Sequence, residues 1–273
     1  MKVVTIIEQV TRWRLFDFKE LWRYRDLFWL LALRDVSLRY KQTAIGVVWA
    51  ILQPLLPAII FAVLFGLFAK LPSDGAPYVV FVFCGMAVWN FFSQSLTRAG
   101  NSLVGNASLV TKIYFPRIII PLASVGSVLF DLLISFAILI VMMFFYHIVP
   151  TWRLFLFPVF VFESFAVSIG LSLWLSALNV KYRDFMYAMP FVIQLWLYAT
   201  PIVYSSSIVP QKFRGLFALN PAVGFVEGVR WSILGSSSLT TEMTVISLVS
   251  GIVLFLSGLW YFRRTEEYFA DVI

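Results

Sequence analysis

The chain has 273 residues, of which 61% are hydrophobic and 13% charged, with a mean hydropathy of +0.89 and a net charge of +7. Soluble chains hold about 45–50% apolar and about 25% charged residues, so no water-soluble core can absorb this composition and lipid must be the solvent. The lone cysteine, Cys84, excludes an intrachain disulfide, and the lone histidine, His147, leaves no Cys/His cluster for a metal.

Only helices or a closed barrel satisfy the backbone in lipid. A barrel needs alternating segments of about ten residues. Here the apolar runs are long and continuous, so an all-α integral membrane protein with six transmembrane helices is expected.

In chain order, residues 1–44 read as a cytoplasmic segment without a cleavable signal. Within it, 21–40 has Leu27, Leu30, Leu31 and Leu38 at near-helical spacing, with Arg23, Arg25, Arg34 and Arg39 between them. This predicts an amphipathic helix in the membrane interface, its arginines among lipid headgroups. Reading 27–33 as the start of a span is costly, because Arg34, Asp35, Arg39 and Lys41 follow. The six spans of the domain 45–262 are 45–69, 78–96, 118–146, 154–178, 185–204 and 244–262, and 263–273 is a cytoplasmic tail. With the N-terminus inside, sixteen of the 21 lysines and arginines fall on one side, the positive-inside bias. That puts both termini in the cytoplasm of a multi-pass inner-membrane protein and explains the net charge without nucleic acid.

The loop 98–117 reads RAGNSLVGNASLVTKIYFPR. Residues 102–114 are expected to form one short helix, capped by Asn101 or Asn106, with Pro116 in the first turn of the third span. Such an apolar-faced helix suits docking of a partner; the plainer reading is a linker. The outer segment 205–242 is broken by Pro210, Lys212, Arg214, Pro221, Glu227 and Arg230 into pieces too short to span. A re-entrant or interfacial helix pair at the outer mouth is expected.

Two acids lie inside spans, Asp131 and Glu163. Intramembrane acids are functional candidates. Either they relay or share a proton, or each is simply protonated or bonded to neighbours at helical spacing such as Ser127, Ser135, Ser164 or Ser168. No lysine or arginine is expected at their depth. Trp49 and Gln53 in the first span, and Gln194, Trp196, Tyr198 and Tyr204 in the fifth, suit a channel where rings stack on sugars and amides bond hydroxyls; ordinary packing is the alternative. No G-x-x-x-x-G-K-[ST], G-x-S-x-G or H-E-x-x-H motif is present. The chain is therefore not expected to be an enzyme.

Five stretches carry a resemblance: RDVSLRYKQTAIGVVWAILQPLL at 34–56, KIYFPRIIIPLA at 112–123, NVKYRDF at 179–185, YATPIVYS at 198–205 and LNPAVGFVEGVRWSILG at 219–235. In this order and spacing the chain resembles the permeases of ABC-class polysaccharide and polyol-phosphate exporters, such as those for O-antigen and teichoic acid. The resemblance implies a homodimer paired with two copies of an ATP-binding subunit, which holds ATP and Mg, and a lipid-linked polysaccharide as cargo. It implies that the first and fifth spans line a channel. It also implies an ATPase-docking surface of Asn101, Ser102, Leu103, Asn106, Leu109, Lys112 and Tyr114, with a second contact at Lys181, Tyr182, Arg183 and Asp184. Arg34, Arg39 and Lys41 are the expected contacts for the headgroup of the entering lipid carrier. A proton-coupled carrier using Asp131 and Glu163 is the competing reading.

Overall fold

With no water to serve the backbone, each apolar run must bond within itself, and these runs do so as helices. The computed structural model describes residues 18–41, 47–235 and 239–269, and among the described residues there is no strand. The expectations for Lys2, Arg12, Arg14, residues 42–46 and the end of the tail, 270–273, lie outside the described residues.

The chain opens with α1 (Phe18–Arg23) and α2 (Arg25–Tyr40). The single helix expected over 21–40 is thus two pieces, parted at Tyr24. Then follow α3 (Val47–Phe61), prolonged by a π-helical stretch Ala62–Phe68, and α4 (Tyr78–Gly105). Next come α5 (Ala107–Lys112), α6 (Ile119–Phe145) and α7 (Phe157–Lys181), the last preceded by a 3-10 turn at Trp152–Leu156. The remainder is α8 (Phe185–Ala199), α9 (Arg214–Phe217), α10 (Pro221–Leu234) and α11 (Thr241–Thr265). Five of the described helical stretches are long and apolar enough to cross a membrane, and α8 is a shorter apolar helix.

Local chemistry explains where expected boundaries moved. α8 stops at Ala199 rather than 204, because Thr200 precedes Pro201 and the proline ring drives its predecessor out of the α region. α4 runs on past 96, since Gln94, Arg98 and Asn101 are polar but helix-competent. It ends where Asn106 Nδ2 donates back to the Ser102 carbonyl at 2.8 Å. Asn106 therefore closes the helix before it, and Asn101 Nδ2 donates to the Thr97 carbonyl at 3.0 Å. Neither side chain caps α5, and the one helix expected over 102–114 is the end of α4 plus the six-residue α5. Pro116 lies in the turn ahead of α6, its carbonyl accepting from the Ile119 N–H at 3.0 Å.

α4 is the central helix, enclosed by α3, α6, α7, α8 and α10. Its Phe92 meets Trp196 of α8 edge-on at 5.2 Å and Phe225 of α10 at 5.6 Å. α10 begins at Asn220, whose Oδ1 accepts from the Ala222 N–H at 3.0 Å, and ends at Gly235, whose φ of +72° suits a glycine C-cap. Within the segment expected to hold a re-entrant or interfacial helix pair, α10 is buried along nearly its whole length against α4, α7 and α11. Its Glu227 and Arg230, read from sequence as residues that break the segment, are fully buried.

Candidate functional site

α3 and α8 are the least covered of the apolar helices, and both pack on α4. α3 contains Pro54 and Pro57, and α8 contains Pro190. Each proline lacks the N–H that the carbonyl four residues earlier needs. The carbonyls of Ala50, Gln53 and Met186 therefore lose their usual helical donor, and of the three residues Gln53 and Met186 are exposed while Ala50 is buried. These prolines are the signal in the sequence for interrupted backbone hydrogen bonding inside α3 and α8.

Trp49, Gln53, Gln194 and Tyr198 are exposed on these two helices. Trp196 is not: it is half-buried, and its indole N–H donates to Asn220 Oδ1 at 2.9 Å, tying α8 to the start of α10. Tyr204 lies beyond the end of α8, its hydroxyl donating to the Tyr198 carbonyl at 3.3 Å. α4 adds a polar stripe that sequence reasoning missed. Asn90, Ser93, Gln94, Thr97, Arg98 and Asn101 recur three or four residues apart, so they share one face, and all are half-buried. A small cleft between α3, α4 and α6 gathers Gln53, Asn90, Gln94, Asp131 and Ser135. Exposed amides are costly toward lipid.

The two intramembrane acids do not meet each other's partners. Arg39 and Tyr40 of α2 both grip the Asp131 carboxylate. A cation therefore does reach Asp131, contrary to the expectation, because α2 turns its last residues inward. Ser127 serves Arg39, and Ser135 donates only to the Asp131 carbonyl. Glu163 Oε1 accepts from Ser247 of α11 at 2.8 Å rather than from Ser164 or Ser168. Its other oxygen is buried without a partner among the described residues. The two acids thus share no hydrogen-bond partner: Asp131 is held by α2 and Glu163 by α11. Glu163→Gln keeps the acceptor for Ser247, so it should retain export and lose no more than about 1–2 kcal/mol of stability; thermal melting and a transport assay check this, and lost transport would restore a proton role.

The docking candidates gather at the other end of α4. Asn179, near the end of α7, donates to the Gly100 carbonyl at 3.1 Å and to Asn101 Oδ1 at 2.9 Å, bringing the 179–185 turn beside the α4–α5 elbow. Arg117 donates to the Glu266 carbonyl and fastens α11 there too. Ser102 and Leu103 are buried, and Leu109 is half-buried. Lys112, Tyr114, Lys181, Tyr182, Arg183 and Asp184 are exposed, as is Ile113. Of the headgroup candidates, Lys41 is exposed, whereas Arg34 bonds Asp35 and Asn106 and Arg39 bonds Asp131.

The membrane family described as ABC-2 type transporter matches residues 26–234. The chain belongs to that family. Among curated proteins, the permease is 29% identical over 252 residues to the O-antigen export system permease protein RfbA of Klebsiella pneumoniae, covering 91% of this chain and 95% of the relative. Against RfbA of Myxococcus xanthus it is 29% identical over 258 residues, covering 93% and 98%. The polysialic acid transport protein KpsM of Escherichia coli is 22% identical over 252 residues, covering 87% and 92%. Family membership makes the permease a membrane component of transport and favours export over the proton-coupled reading.

Proposed function

We propose that the permease is the membrane half of an ATP-driven exporter of a lipid-linked polysaccharide, of the O-antigen class. It works as a homodimer with two copies of an ATP-binding subunit that holds ATP and Mg. The carrying observation is near-end-to-end similarity to O-antigen export permeases in two organisms. In this reading α8 is a sixth, short span, α1 and α2 lie at the cytoplasmic interface, and both termini are cytoplasmic in the inner membrane. Two copies face each other across α3 and α8, so that Trp49, Gln53, Gln194 and Tyr198 border a wet path. Aromatic faces let sugar rings slide, while amides and proline-freed carbonyls exchange bonds with hydroxyls without a deep well. Lys41 meets the phosphate of the lipid carrier. Trp196 is left out of the lining and serves the α8–α10 joint.

ATP-driven closure of the partner subunits pushes on the exposed docking residues and parts the first and fifth spans. Expressed with its ATPase in a strain lacking the native permease, the chain should restore surface polysaccharide. A double substitution, Ile113→Asp with Tyr114→Ala, removes two exposed apolar anchors while leaving the buried core untouched. It should abolish co-purification of the ATPase, at a cost of about 2 kcal/mol or more for such an anchor. An undiminished complex, or export without any nucleotide-hydrolysing subunit, would overturn the assignment.

A further inference from the structure

We propose that Arg34 and Asp131 are positioning residues for export: the C-terminal half of α2 is a strut, tied through Arg34 to Asn106 and, five residues on, through Arg39 to Asp131, that carries displacement of the docking end into α6. This rests on the reading that an ATPase docks at the α4–α5 elbow.

The bonds run without a break. Arg34 donates to Asn106 Oδ1 at 3.0 Å while its fork also engages Asp35 Oδ1 at 3.2 and 3.0 Å. Asn106 is the residue at which the docking helix α5 turns away from α4. Asp35 in turn lies 3.5 Å from the Ser124 hydroxyl of α6. At the far end Arg39 donates to the carbonyl and hydroxyl of Ser127, both at 3.0 Å, and pairs with Asp131. Tyr40 donates to the same carboxylate; burial, then Asp131 itself, pushes its hydroxyl up to about 12, so it stays a donor. Ahead of both grips Phe28 points the tip of its ring at Gly126, where a Cβ would sit 2.8 Å from Phe28 Cζ.

Two features separate a strut from a plain anchor. The opposite face of α2 exposes Trp29, Leu30, Leu33 and Leu38, an apolar surface that slides in lipid without breaking polar bonds. Asp131 also lines the cleft that holds Gln53 of α3, so movement delivered to Asp131 arrives beside a residue of the proposed path. An intramembrane carboxylate is expensive, and Arg39 neutralises it only while α2 stays seated.

The test uses the whole transporter with its ATPase. Arg34→Lys keeps the charge that a lipid headgroup attracts and loses the planar fork that reaches two acceptors. It should assemble with the ATPase and hydrolyse ATP, yet export at least about tenfold more slowly, the size of one charge-assisted hydrogen bond. Asp131→Asn should uncouple in the same way. The swap Arg39→Asp with Asp131→Arg should recover export to within about threefold of the starting protein, as coupled neighbours do. Normal export by Arg34→Lys, or a swapped protein that accumulates but stays uncoupled, overturns the strut. If Asp131→Asn fails to accumulate, Arg34→Lys, at a half-exposed position, decides alone. Assembled variants with full coupling sink the strut only, whereas an unmodified chain that binds no ATPase sinks the docking reading as well.

Discussion

Arg230→Ala should leave little folded permease in the membrane. The guanidinium is fully buried. It donates to the Phe81 carbonyl at 3.0 Å and to the carbonyls of Pro201 and Ile202, and it lies 3.7 Å over the Phe81 ring. The last two carbonyls belong to the non-helical stretch after α8, which has no helical donors to offer them. Glu227, 3.4 Å away, accepts from the Ser206 hydroxyl at 2.9 Å and is fully buried as well. Gly85 makes room: a Cβ there would lie 2.7 Å from the guanidinium. Alanine strands a buried carboxylate, at about 3–5 kcal/mol, and orphans carbonyls at about 1–3 kcal/mol each. Against a total stability of about 5–15 kcal/mol, that is enough to unfold the chain. Lysine should fare little better, because a point charge cannot serve three divergent acceptors. Fluorescence-detected size exclusion of the solubilised protein reads the outcome, and a monodisperse Arg230→Ala peak with an unchanged Tm would refute this account. Arg230→Met with Glu227→Gln removes both charges together and should be milder than either single change.

Gly258→Leu should be nearly as damaging, by sterics rather than charge. A Cβ on Gly258 would lie 2.0 Å from the Gly170 carbonyl oxygen, and one on Gly170 would lie 2.5 Å from Phe255 Cα. Both obstacles are backbone, so no rotamer change relieves them. Within lipid, helices associate through close packing and interhelical hydrogen bonds rather than through the hydrophobic effect. The α7–α11 seam has both: Trp174 Nε1 donates to Ser257 at 3.1 Å, Trp174 stacks on Tyr261 at 4.1 Å, and Ser247 donates to Glu163 at 2.8 Å. Prising the helices apart lengthens all of these at once. The cost should exceed the about 1–3 kcal/mol of ordinary overpacking. Gly251→Ala is the matched control, since its nearest neighbour is a single Val167 methyl at 3.0 Å that can yield. Accumulation and Tm measured in parallel decide the matter; equal values for Gly258→Leu and Gly251→Ala would remove the argument.

What the sequence by itself determined is the class of molecule. Uninterrupted apolar runs, a polar first segment and a one-sided distribution of lysine and arginine mark a polytopic helical membrane protein, because span length and loop charge are local properties. Motif order carried the family for the same reason. Exposed positions such as Gln53, Gln194, Lys112 and Tyr114 were legible as polar or aromatic residues with no evident use in packing. The tertiary structure alone decided which polar groups pair. Arg39 finds Asp131 across 92 positions and Arg230 finds Phe81 across 149, so residues read as headgroup contacts or loop punctuation are internal fasteners. Trp196, Ser102 and Leu103 turn inward for the same reason: the face a helix buries depends on the neighbour that covers it. In lipid an unpaired charge or N–H is costly wherever it lies, so these pairings follow from how the bundle closes rather than from any residue's own sequence neighbourhood.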